Sequence, residues 1–289
     1  MKNLLIALAL ITVNGCVAPK AYEKEQDLPT EFSRFQMYSE HVKDTFLVQV
    51  HVPEGYSEQD SLPTVYLLDG NFFGPMLSSA VQQMQVAGKL PPLILVSIGY
   101  SSFEKMDSLR VRDYLYPAAV PSDEMDAPGG GKNFHDFITM ELVGKIDEGY
   151  KTDRNNRVLM GHSFGAYFAL YSLLDLLENK TGPFHQFVAA SPTLWYNDFY
   201  LSQIPDKLDG YGQENIQVYT SVGGLENEQW SIAPILAFSD SLELTGHHSL
   251  KAKNVVFNEL DHMDVAMVSF LKGLEFILSE PAEQNTCPS

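Results

Sequence analysis

The chain has 289 residues, 45% of them hydrophobic, and a formal net charge of −18, enough to bury a substantial core in one large α/β domain. That charge excludes a nucleic-acid partner, which needs Lys and Arg clustered on one face. The two cysteines, Cys16 and Cys287, and the histidines show no metal-ligand spacing, so no metal or other cofactor is expected.

Met1-Lys2-Asn3 gives a positive start to an apolar run, Leu4 to Val13, too short to span a bilayer and the size of a secretory signal. It leads into Val13-Asn14-Gly15-Cys16, which resembles a bacterial lipobox despite the unusual Asn14. Residues 1–15 are therefore expected to be a signal peptide and Cys16 to carry lipid, giving a periplasmic or outer-membrane lipoprotein that meets a membrane only through that anchor. Ordinary cleavage near Cys16-Val17-Ala18 is the competing reading, and a Cys16–Cys287 bridge the alternative use of the cysteines. Residues 16–40 read as a polar tether, 41–280 as one domain and 281–289 as a polar tail.

Within the domain, Phe46 to Val52 alternates as a half-buried strand does, and Thr64 to Leu68 is a buried strand closing on Asp69-Gly70-Asn71. Met76 to Gly88 has helical spacing, and Leu93 to Ile98 is a third strand. Tyr100 to Lys132 reads as a long irregular stretch, and Asn133 to Tyr150 as a helix through Phe134, Phe137, Ile138, Leu142 and Ile146. Arg157 to Met160, Phe187 to Ala190, Ile216 to Val222 and Val255 to Phe257 are further strands, and a helix is expected from about Asp264 to Leu278. Short apolar strands alternating with helices predict a mainly parallel sheet covered on both faces, with ligands gathering at the carboxyl ends of the strands.

At one such end stands Gly161-His162-Ser163-Phe164-Gly165, between a buried strand and an apolar helix. G-x-S-x-G at that joint is a nucleophile elbow, where small residues let strand and helix approach around a strained serine. A serine needs a base and the base a carboxylate, in the chain order Ser, acid, His. Of the histidines after the acid position, His262 follows the last strand, whereas His247 and His248 follow a helix-like segment. Glu226, just past the strand ending at Val222, fits the acid; Glu228 and Asp198 compete with it. The oxyanion hole calls for the N–H of Phe164 and one from the turn after Leu68, at Asn71 or Phe72.

Taken together, several blocks resemble the esterase family of α/β-hydrolases that includes esterase D and the enterochelin-type siderophore esterases. They are Tyr66-Leu67-Leu68-Asp69-Gly70-Asn71; Arg110-Val111-Arg112-Asp113-Tyr114; Gly129-Gly130-Gly131 leading into Phe134 and Phe137; the elbow; Ser191-Pro192-Thr193-Leu194-Trp195; and Asp261-His262. The resemblance runs from about Phe46 to Phe276. It implies the α/β-hydrolase fold, with Ser163 as nucleophile, His262 as base and Glu226 as the favoured acid, and it suggests Arg110, Arg112 and Trp195 near the substrate. Local pairing of the arginines with Asp107 and Asp113, and a core position for Trp195, are the structural alternatives. The expected activity is a serine esterase acting on a small-molecule ester through an acyl-enzyme, with a lean to siderophore esters. Feruloyl or acetyl-sugar esters and acyl transfer use the same triad. An inactive binding protein on this scaffold would need a broken triad position, and none is evident.

Overall fold

A computed structural model of the protein describes residues 32–279 apart from 58–60, 209–210 and 213–214. The expected signal peptide, Cys16 and Cys287 lie outside the described residues. Eight strands form one sheet: β1 (Phe32–Ser39), β2 (Asp44–His51), β3 (Leu62–Leu67), β4 (Ile94–Gly99), β5 (Thr152–His162), β6 (Gln186–Ala190), β7 (Ile216–Gly223) and β8 (Leu250–Phe257). Their spatial order is β1-β2-β4-β3-β5-β6-β7-β8. β2 runs antiparallel to both β1 and β4, and every other neighbouring pair is parallel. This is the α/β-hydrolase architecture expected from the sequence. β1 is a correction to the tether at 16–40, whose last part is a strand paired with β2 from Phe32 against His51 to Ser39 against Asp44.

The two faces of the sheet are filled by alternate residues of the same strands, as the period of two requires. Val65, Leu67, Val158, Met160 and Val188 point to one side, where α1 (Gly70–Val86) and α9 (Val265–Leu278) supply Phe73, Leu77, Phe270 and Leu274. Tyr66, Leu159, Phe187 and Ala189 point to the other, against Phe168 and Leu170 of α5 (Phe164–Asn179). Burial on both faces explains why the central strands read as continuous apolar runs.

Between β4 and β5 the stretch expected to be irregular contains a helix, α2 (Phe103–Tyr114), opened by the Ser102 side chain accepting from the Lys105 N–H. Its buried residues are only Met106, Asp113 and Tyr114, so it carries almost no apolar periodicity. The following helix is one rod in three parts: α3 (Gly131–Asp136), a π-helical segment Phe137–Leu142 and α4 (Val143–Gly149). Phe137 and Ile138, three and four residues on from buried Phe134, continue its core-facing stripe into the π segment. A short turn α6 (Tyr196–Phe199), then α7 (Ile204–Leu208) and α8 (Ala233–Leu244), complete the helices described here.

Phe46 of β2 is the centre of an aromatic cluster, its ring stacked on Phe137 at 4.5 Å and tilted against Phe134 at 5.1 Å. It has no solvent exposure. Phe46→Ala should therefore lower the unfolding free energy by ~3–5 kcal/mol, read from denaturant titration.

Candidate active site

β5 ends at His162 and α5 begins at Phe164, so Ser163 alone makes the turn. It does so at φ 59° and ψ −119°, a region in which a side chain is strained. The turn is held by the Ser163 N–H donating to the Ala190 carbonyl at 3.0 Å and by its own carbonyl accepting from Tyr167 N–H at 2.9 Å. Gly161 is needed because a Cβ there would run into the backbone of Gly165. Starting a helix at Phe164 leaves that residue's N–H among the first-turn donors with no acceptor inside the helix.

The candidate base and acid come from two parallel neighbours in the sheet. β8 delivers the loop carrying His262, and β7 the loop carrying Glu226. His262 Nδ1 lies 2.8 Å from Glu226 Oε2. Since a carboxylate only accepts, Nδ1 carries the proton and Nε2 is left with its lone pair. Ser163 and His262 line the same cavity, of about 200 Å³.

Glu226 is satisfied on every side. Its Oε1 accepts from the Gly223 N–H at 2.8 Å, and its Oε2 accepts from Ser191 Oγ at 2.6 Å as well as from His262. Burial works against its charge, yet the bonds from His262, Ser191 and Gly223 prevail and hold the carboxyl below its ordinary range. The competing acids are engaged elsewhere: Asp198 accepts from Ser122, and Glu228 opens a turn capped by Asn227.

Ser191 joins the candidate site, though nothing in the residues alone singles it out. It follows β6 at φ 46°, with its Oγ 3.0 Å from His262 Nδ1 as well as bonded to Glu226. A lone serine after a strand has no pattern of its own; its place in the block from Ser191 to Trp195 was the available signal.

On the oxyanion side, Asn71 is a backbone candidate only. Its side chain holds Tyr100, Nδ2 donating to the carbonyl at 2.7 Å and Oδ1 accepting from the N–H at 2.5 Å. The N–H groups of Phe72 and Phe73 bond to the Asp69 carbonyl, which leaves Asn71 N–H as the first-turn donor of α1 in the expected place.

Arg110 lines the cavity, but its Nε and Nη2 grip both oxygens of buried Asp69 at 3.0 and 2.9 Å, and Nη2 also reaches the His162 carbonyl at 3.3 Å. Arg112 and Trp195 are not brought to the site. Arg112 pairs with Asp113 at 2.7 Å and Asp44 at 3.0 Å, beside the Tyr100 hydroxyl that also bonds Asp113. Trp195 is half-buried against the larger core cluster. The wall of the cavity is mostly apolar, from Phe72, Phe73, Phe103, Met106 and Met263, with Asp107 as a further charge. Ser172 lies 3.0 Å from His135 and could suggest a second dyad, but both are buried between helices.

Strand–turn–helix nucleophile, buried carboxylate and oriented imidazole at one cavity define a serine hydrolase of the α/β-hydrolase fold. The model of the family described as "Putative esterase" matches residues 39–249. The chain belongs to that family, and it is a serine esterase. It is 27% identical over 261 residues to the ferri-bacillibactin esterase BesA of Bacillus subtilis, covering 84% of this chain and 88% of that one. It is 31% identical over 157 residues to the apo-salmochelin esterase of Escherichia coli, covering 52% of this chain and 47% of that one. The crystal structure of the BES protein from Bacillus cereus superposes with a TM-score of 0.75 at 26% identity, covering 88% of this chain and 97% of that one.

Removing the Ser191 hydroxyl withdraws one bond from Glu226 and one partner from His262, so Ser191→Ala should lower kcat by ~10-fold. It should also change acid stability. A carboxyl depressed below its unfolded value of 4.5 adds stability above that pH and loses it as pH falls toward the folded value. Melting curves should show the variant starting from a lower plateau above pH 4.5 and losing less below it.

Proposed function

We propose that the protein hydrolyses esters of aryl-bearing siderophores with Ser163 as nucleophile, His262 as base and Glu226 as the carboxylate that orients it. The observation that carries the mechanism is the 2.8 Å bond between His262 Nδ1 and Glu226 at the cavity that Ser163 shares. It directs Nε2, the unprotonated nitrogen, to the reaction. Ser163 Oγ attacks the ester carbonyl as its proton passes to Nε2, and the carbonyl π electrons move onto oxygen. The N–H groups of Phe164 and Asn71 stabilise that oxyanion. Collapse expels the alcohol, which takes the proton from His262, and leaves an acyl-serine. Water, activated by the same nitrogen, then releases the acid.

The aryl preference rests on the wall. Phe72 packs edge-on to Phe73 at 4.8 Å and lies 5.9 Å from Phe103, with Phe72 and Phe103 both exposed. Such rings offer faces and edges to a planar acyl or aryl group. The names of the relatives from Bacillus subtilis and Escherichia coli, one a ferri- and one an apo-siderophore esterase, support the siderophore class.

Two measurements test this reading. Against a short p-nitrophenyl ester, Ser163→Ala and His262→Ala should each lower kcat by ~10⁴-fold or more, and Glu226→Gln by ~10²–10⁴-fold. A trilactone siderophore should be turned over with a higher kcat/KM than simple aryl esters, and equal turnover would remove the siderophore assignment. The protein is also proposed to be exported and anchored through lipid on Cys16, on the strength of the apolar run that ends there. Intact mass of the protein from its native membrane fraction should show a diacylglyceryl adduct on a chain beginning at Cys16; a chain with unmodified Cys16 overturns this.

A further inference from the structure

His162 stands next to the nucleophile and takes no part in the chemistry set out above. Its ring fills the space between Phe73, edge-on at 5.7 Å, and His262, whose ring centre is 4.5 Å away. Its Nε2 is 2.7 Å from the backbone carbonyl oxygen of His262. A carbonyl oxygen only accepts, so Nε2 must be the protonated nitrogen and the donor. The residue is buried, and burial, together with neighbouring His262, pushes its pKa down to about 3. It is therefore a neutral donor of fixed tautomer throughout the range in which a serine esterase works.

The loop that carries His262 is otherwise tied to itself, to the Glu226 segment and, through its imidazole, to Ser191. Leu260 bonds Phe257 at 3.0 Å and Leu225 at 3.1 Å, and Asp261 accepts from the N–H groups of Met263 and Asp264 at 2.8 and 3.0 Å. These bonds shape the loop and join it to the Glu226 segment. Among the described hydrogen bonds, the one from His162 is what joins the base's loop to the nucleophile's strand.

We propose that His162 is a positioning residue: its Nε2–H to carbonyl bond sets the main chain of His262 at a fixed distance from Ser163, the residue next to His162 itself. The proposal rests on the triad assigned above. Its physical basis is the steep dependence of rate on geometry, since a displacement of ~1 Å between reacting groups costs ~10²-fold. Neutrality belongs to the same role. His262 becomes cationic each time it takes the serine proton, and a charged imidazole beside it would oppose that step.

The test contrasts three variants of the full chain on a p-nitrophenyl ester. Gln places a carboxamide N–H about where Nε2 lies, Asn is too short to reach, and Phe keeps a ring but has no donor. His162→Gln should keep kcat within ~3-fold, whereas His162→Asn and His162→Phe should lose ~10–100-fold in kcat with KM changed by less than ~2-fold. Labelling of Ser163 by a fluorophosphonate should slow in parallel. Folded Asn and Phe variants with full kcat would overturn the proposal, as would a Gln variant that falls as far as Phe. Should the variants not fold, the wild-type protein still decides: ¹⁵N-histidine NMR at pH ~5 should show His162 neutral and protonated on Nε2. A cationic His162, or one protonated on Nδ1, overturns it. Ser163→Ala and His262→Ala, assayed alongside, report separately on the triad, because each removes a reacting group and leaves His162 in place.

Discussion

A buried carboxylate and a half-buried guanidinium hold together the three chain segments that meet at the nucleophile. Asp69 closes the turn after β3, and Arg110 reaches it from α2 with two parallel bonds. The same guanidinium touches the elbow through the His162 carbonyl and lies 5.2 Å from the Phe164 ring and 5.6 Å from the Tyr114 ring. Tyr114 completes the set by accepting the Asp69 N–H on its hydroxyl at 3.1 Å. Removing one member of such a pair strands a charge in the interior, which typically costs ~3–5 kcal/mol, so these elements stand or fall together. Arg110 touches the cavity as the resemblance suggests, but most of its hydrogen-bonding capacity is committed to architecture.

The central sheet and the elbow were legible because burial on both faces writes itself into the sequence as short apolar runs, as in Leu93 to Val96 or Val158 to Met160. β1 was not legible for the opposite reason. Its alternation of Phe35 and Met37 with Arg34 and Gln36 is that of a half-exposed edge strand, and its pairing with β2 has no local signature. α2 was missed because its inward residues include Asp113, whose bonds to Arg112 and Tyr100 replace the apolar contact that periodicity detects. The stretch after it is irregular, as expected, and fastened: Asn197 donates to Asp123 and to the Ala118 carbonyl, and Ser122 to Asp198.

The site divides in the same way. Ser163, His262 and Glu226 could be named because each follows a recognisable strand, and chain order restricts what may follow the serine. Choosing among Glu226, Glu228 and Asp198 needed coordinates, since all three are loop carboxylates until one is seen beneath an imidazole. Ser191 and His162 act across the sheet, through neighbours 71 and 100 residues away in the chain. Arg112 shows the converse: an arginine in a motif block can be there to satisfy a buried aspartate.

The backbone at Ser163 has a consequence for how the protein can change over evolutionary time. A non-glycine residue at φ 59° and ψ −119° holds the folded chain above its attainable minimum by ~1–3 kcal/mol. Glycine would relieve that strain and remove the nucleophile in one substitution. At this position selection for stability and selection for activity pull in opposite directions, so a lineage released from the need for catalysis would have a downhill path to an inert and sturdier relative of the same shape.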